Sequence, residues 1–123
     1  MSGYWESYQI NPWDSPRYCV FCEIIAGRSP AKVVYQDDEV MVFHNQLTWA
    51  PVMLLVIPKK HMTQKEMWED AVMAQIAKVA VEMGNSHSPG GYRLLSNFGH
   101  QGMQSQTHGH LHVLGGTRLG RYV

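Results

Sequence analysis

Three histidines at alternating positions near the C-terminal end constrain this chain more than any other feature of its sequence. His108, His110 and His112 are each separated by one residue. Alternate side chains of a β-strand point to the same face, so the three imidazoles would line up about 7 Å apart, whereas on a helix they would fan apart. Leu111 and Val113 would then point to the opposite face. The pattern predicts a strand with an apolar back and a chemically active front.

The polar residues before this row fit a catalytic interpretation. A row of imidazoles can supply a nucleophile and a general acid or base. Gln104 and Ser105, with the backbone N–H groups of the Gly- and Gln-rich loop 97–107, can hold an anionic substrate without adding negative charge. The nearest acidic residue upstream is Glu82. The alternative is that the histidines are only metal ligands or hydrogen-bonded polar groups, a reading that a single histidine would favour.

Composition narrows the classes of partner. A chain of 123 residues with 45% hydrophobic residues suffices for one domain, and dimerisation would add to its buried surface. Ten basic residues balance ten acidic ones, which argues for a small ligand and against a nucleic-acid polymer or an anionic membrane. No apolar run approaches the roughly 18 residues of a membrane span, and the N-terminus lacks a signal-peptide layout. We therefore expect a cytoplasmic protein.

The N-terminal region divides at the two cysteines. Residues 1–18 are rich in aromatic residues and proline without helix or strand periodicity, and predict an irregular arm that lies on its own domain or on a partner subunit. Residues 19–123 form the predicted domain. Cys19 and Cys22 are the only cysteines of the chain. In a reducing compartment their spacing favours metal binding or redox chemistry over a structural disulfide.

Hydrophobic patterning predicts a mixture of strands and helices in the domain. A short helix at 23–26 is stopped by Gly27. β-branched and apolar runs predict four strands before the histidines, at 32–36, 39–43, 52–57 and 92–96.

A long helix is predicted between the third and fourth of these strands. Thr63 and Glu66 have the capping-box form, and Gly84 provides a stop. Apolar residues recur at helical spacing between these ends, and we interpret them as core. They are Trp68, Val72, Ile76, Val79 and Met83.

Together these segments resemble the histidine-triad (HIT) family. The run from His108 to Leu114 has the His-x-His-x-His-φ-φ form, where φ is apolar, and Leu114-Gly115-Gly116 is similar to the branch of histidine-triad nucleotide-binding proteins. The resemblance covers about residues 19–116. Other segments that match in family order are Phe21–Ile25, Pro30–Lys32, Phe43–His44, Ala50–Pro51, Leu55–His61, Gly91–Arg93 and Asn97.

The resemblance implies an α+β fold in which a five-stranded antiparallel sheet carries one long helix, with a short N-terminal helix. It also implies a homodimer in which two sheets join. The implied activity is hydrolysis of nucleoside phosphoramidates or related nucleotidyl bonds. In that reaction His110 attacks the α-phosphorus and water cleaves the resulting nucleotidyl-imidazole.

The resemblance also implies roles for other residues. The positions that contact phosphate or support the nucleophile are Asn97, Gln104, Ser105 and His112. The positions of the nucleobase and ribose pocket, for a purine nucleotide, are Val20, Phe21, Ile24, Phe43, His44 and Asn45.

A structural zinc occurs in a subset of the family, and its four ligand positions match Cys19, Cys22, His61 and His108. Two thiolates and two imidazoles form a tetrahedral donor set that zinc prefers. The alternative is two free thiols and two polar histidines. If His108 is a ligand, only His110 and His112 remain for catalysis.

Four positions depart from the family pattern. Met53 replaces a histidine near the phosphate, Asn45 an aspartate that holds the ribose hydroxyls, and Met103 a glycine of the phosphate loop; Gln46 replaces a small apolar residue. A second hypothesis is therefore a purine nucleotide-binding module without catalysis. A third is a protein whose histidines and cysteines serve only as metal sites. His87 and His100 are predicted to lie in polar loops, are most simply solvated and receive no role.

Overall fold

The fold is an antiparallel sheet covered by helices, as seen in a computed structural model that describes residues 14–15 and 18–121. Two short strands, β1 (Asp14–Ser15) and β2 (Tyr18–Cys19), pair with each other outside the main sheet. The main sheet contains β3 (Val33–Gln36), β4 (Val40–His44), β5 (Val52–Pro58), β6 (Tyr92–Leu95) and β7 (Leu111–Gly115). The strand order is β3-β4-β5-β7-β6, and every neighbouring pair is antiparallel. The predicted α+β class and five-stranded sheet are confirmed. Most of the predicted N-terminal arm, residues 1–13 and 16–17, lies outside the described residues.

β7 begins after the histidine row has started. His112 pairs with Leu55 of β5 on one side and with Leu95 of β6 on the other. His108 forms only an isolated bridge to Thr63, and His110 lies outside the regular strand. The predicted strand over all three histidines is therefore confirmed only from Leu111 onward. The backbone N–H and carbonyl of His110 form hydrogen bonds with side chains and not with a neighbouring strand.

Within residues 18–121, three helices accompany the sheet: α1 (Val20–Ile25), α2 (Gln64–Glu69) and α3 (Val72–His87). The predicted capping box is present at the start of α2, where the Thr63 hydroxyl accepts from the Glu66 N–H and the Glu66 carboxylate accepts from the Thr63 N–H. The predicted single helix is interrupted at Asp70, whose backbone is extended and whose carboxylate accepts from the Val72 N–H at 2.8 Å. Asp70 thus supplies an acceptor at the start of the long helix α3.

Two details of the helix prediction are wrong. Trp68 is 46% exposed and does not belong to the core, because the interruption at Asp70 separates its short helix from the apolar face of α3. Gly84 does not stop the helix, which continues to His87. Gly84 instead permits close packing, since a Cβ at this position would overlap the ring of Tyr92. No helix within residues 14–15 and 18–121 has the length and apolar content of a membrane span.

The two faces of the sheet have different roles. One face packs against α3 through a fully apolar core in which Leu111 and Val113 are buried. The other face packs against α1 through Phe21, Phe43 and Leu55. The apolar back predicted for the histidine strand is confirmed.

Candidate functional site

Four side chains from distant parts of the sequence converge beside α1. Cys19 is the N-cap of α1, and Cys22 lies in its first turn, with its N–H directed to the Cys19 Sγ at 3.4 Å. His61 follows β5, and His108 precedes β7. Their potential ligand atoms all lie within 4.8 Å of one another. The structure thus brings together all four residues predicted to bind a metal.

The spacing of these atoms suits a tetrahedral ion. His108 Nδ1 lies 3.4 Å from Cys19 Sγ, 3.6 Å from Cys22 Sγ and 3.1 Å from His61 Nδ1, while Cys22 Sγ lies 3.3 Å from His61 Nδ1. Zinc bonds of about 2.3 Å to sulfur and about 2.0 Å to nitrogen place neighbouring ligand atoms of a tetrahedral site roughly 3.3 to 3.8 Å apart. These four distances are compatible with a shared metal ion, which the four residues could bind.

His108 is oriented for this role by its other ring nitrogen. Its Nε2 donates to the Pro58 carbonyl oxygen at 2.8 Å, which leaves Nδ1 as the nitrogen with a lone pair. Burial lowers the pKa of His108 to about 4, against a smaller opposing effect of the Pro58 hydrogen bond. The ring is neutral at pH 7, which is the form that binds metals.

His110 is held in a defined tautomer. Its Nδ1 lies 2.8 Å from the backbone carbonyl of His108, and because a carbonyl only accepts, Nδ1 must carry the hydrogen. In the neutral ring the lone pair is then on Nε2. The edge-to-face contacts of Phe21 reach both His108 and His110, with ring centroids 5.6 and 5.5 Å apart. Phe21 therefore contacts both a residue of the cysteine–histidine cluster and the candidate nucleophile.

His112 lies next to His110 on the same side of the sheet. Their ring centroids are 5.2 Å apart. Burial and, to a smaller extent, the neighbouring His110 lower the pKa of His112 to about 4. His112 is therefore neutral at pH 7 and can offer an N–H donor, but not a resident positive charge.

A cavity of about 720 Å³ opens at these two histidines. It holds most of the predicted site residues, and in the described part of the chain its lining includes no Asp or Glu. Without a carboxylate, the cavity suits an anionic ligand. The predicted residues that line it are Val20, Phe21, Ile24, Phe43, His44, Asn45, Ser105, His110 and His112.

Asn97 and Gln104 are placed differently from the other predicted residues. The Asn97 amide donates to the Gly102 carbonyl at 2.6 Å. The Gln104 side chain accepts from the Gly99 N–H and donates to the Gln106 carbonyl, both at 2.8 Å. Neither side chain lines the cavity. Both instead fix the backbone of loop 97–107, and their predicted contact with phosphate stays a prediction.

Several cavity residues received no role from the sequence. Lys32, Thr48 and Gln106 add polar groups to the wall. Lys32 lies in a segment that resembles the family, and its carbonyl accepts from the His44 N–H at 3.0 Å. The sequence did contain a signal for this position. The two strands predicted at 32–36 and 39–43 form a hairpin, and pairing of these strands brings Lys32 beside His44.

The departures from the family pattern also have defined surroundings. The Asn45 Oδ1 accepts from the Leu47 N–H at 2.9 Å, so part of its hydrogen-bonding capacity is used within the chain. Met53 is buried, with its sulfur 3.4 Å from the Ala50 N–H. Met103 is 72% exposed and has φ of 61°. Its backbone thus adopts a conformation that favours glycine.

Comparisons with known proteins agree with this fold. Residues 26–119 match the family model of the HIT domain. An uncharacterized HIT-like protein of Buchnera aphidicola is 31% identical over 107 residues, which are 83% of this chain and 96% of that protein. The antiparallel sheet and the row of histidines agree with these sequence matches. The chain belongs to the HIT family.

Solved structures of the family are similar to the whole described domain. A HIT family hydrolase from Clostridium thermocellum superposes with a TM-score of 0.78 at 33% identity, covering 85% of this chain and 96% of that one. A zinc-bound histidine triad family protein from Mycobacterium smegmatis superposes with a TM-score of 0.72 at 28% identity, covering 85% of this chain and 78% of that one.

Proposed function

We propose that this protein is a nucleotide hydrolase or transferase that cleaves nucleoside phosphoramidates or related nucleotidyl bonds through a covalent intermediate on His110. The observation that carries the proposal is the hydrogen bond from His110 Nδ1 to the His108 carbonyl. This bond puts the lone pair on Nε2 of a histidine that lines a cavity with no Asp or Glu among its described lining residues. The similarity to a HIT family hydrolase supports the reaction class.

In the first step, His110 Nε2 attacks the α-phosphorus. A nitrogen–phosphorus bond forms, and the bond from phosphorus to the leaving nitrogen breaks, with its electron pair moving to that nitrogen. The leaving amine takes up one proton, for which we propose that Ser105, at the cavity wall, is the relay from solvent. His112 donates a neutral N–H hydrogen bond to the phosphate, since its pKa is about 4.

In the second step, water attacks the same phosphorus. The bond between phosphorus and Nε2 breaks and its electron pair returns to His110, while the water releases a proton. The products are a nucleoside monophosphate and an amine. The two displacements replace one difficult reaction with two easier ones.

The cavity also supports a nucleotide substrate. Phe21 and Phe43 pack edge to face with centroids 5.5 Å apart, and both line the wall that would receive a purine. Asn45 and Lys32 add polar groups that can form hydrogen bonds with the sugar. Asn97 and Gln104 shape the loop whose N–H groups would face the phosphate.

We also propose that zinc occupies the cluster of Cys19, Cys22, His61 and His108. The S2N2 donor set, the interatomic spacing and the similarity to a zinc-bound relative support this assignment. Zinc there would supply structural stability. A homodimer and a cytoplasmic location complete the proposal.

The test uses an adenosine 5′-phosphoramidate and intact-protein mass spectrometry. We expect release of AMP, an adduct of one nucleotidyl group on a rapidly quenched protein, and loss of both in His110→Ala. His87→Ala is the matched control, because His87 is an exposed histidine at the end of α3, outside the cavity. Undiminished turnover by His110→Ala would rule out the proposed mechanism.

The same measurements separate the rival hypotheses. Tight AMP binding without turnover of any phosphoramidate or dinucleotide would identify a nucleotide-binding module. A purely metal-binding protein would require His110 in the coordination shell or further metal sites. Across residues 14–15 and 18–121, the four-residue cluster is the only group found with three or more potential ligands, and it does not include His110.

A further inference from the structure

The main chain of His110 is held by side chains from two other elements. Its N–H donates to the Gln64 Oε1 at 2.9 Å, and its carbonyl accepts from the Ser96 hydroxyl at 2.7 Å. Regular pairing in β7 begins only at Leu111. The position of His110 therefore depends on two side chains that the sheet does not supply.

Gln64 connects His110 to the loop that would hold phosphate. It is the first residue of α2 and only 2% exposed. Its Nε2 donates to the Asn97 carbonyl at 3.1 Å while its Oε1 accepts from His110. A buried amide that is bonded at both ends fixes the distance between the two groups that it joins. One side chain thus sets the beginning of loop 97–107 relative to the candidate nucleophile.

Ser96 is in turn oriented by Trp68. The indole Nε1–H donates to the Ser96 hydroxyl oxygen at 3.2 Å, and that hydroxyl donates to His110. A hydroxyl that accepts one hydrogen bond is polarised and donates a stronger one. The Trp68 ring lies 6.3 Å from the ring of Phe98, at the surface. This hydrogen-bond chain explains why α2 carries a half-exposed tryptophan in place of a core residue.

We propose that Gln64 and Ser96 are positioning residues for His110, with Trp68 orienting Ser96. This inference rests on the proposed function, in which His110 is the nucleophile. Neither Gln64 nor Ser96 lines the cavity, so they act through the position of His110 and not through contact with substrate. Losing the Ser96 hydroxyl should lower kcat and leave KM nearly unchanged, whereas losing Gln64 should lower kcat and also raise KM, because Gln64 holds the loop that would bind phosphate.

The first experiment compares kcat and KM in matched variants. Ser96→Ala and Gln64→Leu should each lower kcat by about fivefold to tenfold or more, because each loses one hydrogen bond to the His110 main chain, and Gln64→Leu also loses its bond to Asn97. Ser96→Thr keeps the hydroxyl and should restore kcat. Gln75→Leu is the control for Gln64→Leu, because Gln75 is a helical glutamine whose amide donates to Asp37 and neither residue lines the cavity. If Gln64→Leu does not fold, the two Ser96 variants decide the matter.

The second measurement does not need turnover. Hydrogen exchange at the His110 amide, followed by NMR, should be faster in Gln64→Leu than in Gln75→Leu. Unchanged kcat in both Ser96→Ala and Gln64→Leu, or an equal loss in Ser96→Thr, would overturn the inference. If the wild-type protein turns over no substrate, the proposed function fails. Amide exchange then tests by itself whether Gln64 fixes the position of His110. Equal exchange in the two glutamine variants would overturn it.

Discussion

The imidazole of His110 donates its Nδ1 hydrogen to the backbone carbonyl of His108, across 2.8 Å. The side chain of His108 itself faces the cysteine and histidine cluster with Nδ1 and donates from Nε2 to Pro58. One residue therefore contributes both to the candidate metal site and to the tautomer of the candidate nucleophile. Two chemical roles are thereby assigned to neighbouring histidines that look equivalent in sequence.

The tautomer predicts which nitrogen becomes modified. Because Nδ1 of His110 carries a hydrogen bonded to a carbonyl, the nucleotidyl group should be attached to Nε2. Phosphorus–nitrogen NMR of quenched protein with labelled histidine distinguishes the two isomers. The His87→Gln protein should give the same Nε2 adduct. A phosphorus bond to Nδ1 would contradict this geometry.

The cluster geometry predicts that metal content and stability fall together. In Cys19→Ser and Cys22→Ser, metal per subunit should fall sharply, because a tetrahedral site loses one of four ligands. Binding free energy in such sites is largely folding free energy, and a loss of about 3 kcal/mol would lower Tm by roughly 10 °C. Elemental analysis and calorimetry measure the two effects.

Exposed histidines provide the control for the same cluster. His61→Gln should lose metal, whereas His87→Gln should retain it, although both side chains are exposed. Full metal content in Cys19→Ser would show that the four residues do not form the site.

Local patterns predicted the parts of this protein that depend on local physics. Alternation placed His112 with an apolar back of Leu111 and Val113, and the capping box marked the start of α2 correctly. The resemblance to a family, and not spacing alone, joined the two cysteines to distant histidines, because no local pattern shows which loops meet. The structure then brought all four together.

The misses arise where a side chain bonds to the backbone or packs at long range. Asp70 lies within a helical pattern, but its carboxylate can cap a new helix as easily as face solvent. Gly84 reads as a stop unless the ring of Tyr92 is known to lie against it. Asn97 and Gln104 have polar groups that bind their own loop, and sequence does not show whether such a group faces the backbone or a ligand.

Burial of His112 predicts how stability depends on pH. Its pKa is about 4 in the folded protein and 6.5 in the unfolded chain, so between these values the unfolded chain binds more protons. Stability from the neutral ring is fully present above pH 6.5 and is lost as the pH falls toward 4, by up to about 3 kcal/mol. Glutamine does not titrate in this range, so the free energy of unfolding of His112→Gln should fall less steeply as the pH is lowered.

Urea unfolding of wild type and His112→Gln in the same zinc-supplemented buffer at pH 7, 6 and 5 measures this difference. Protonation of the four cluster residues affects both proteins alike, so the change with pH in the difference between their free energies of unfolding reports on His112. Parallel stability curves over this range would show that His112 titrates normally in the folded protein.

The backbone at Met103 predicts a stabilising substitution. Among the described residues it is the only non-glycine with a positive φ, and its side chain is 72% exposed. A left-handed conformation costs a residue with a Cβ about 1 kcal/mol, and glycine avoids that cost. Met103→Gly should therefore raise the free energy of unfolding by roughly 0.5 to 1 kcal/mol, even though glycine gains entropy in the unfolded chain.

Gln101→Gly, two residues away and also exposed, relieves no such strain and should lower stability by about 0.4 to 1 kcal/mol. Chemical denaturation of both variants compares the two signs, and equal losses would mean that Met103 carries no strain.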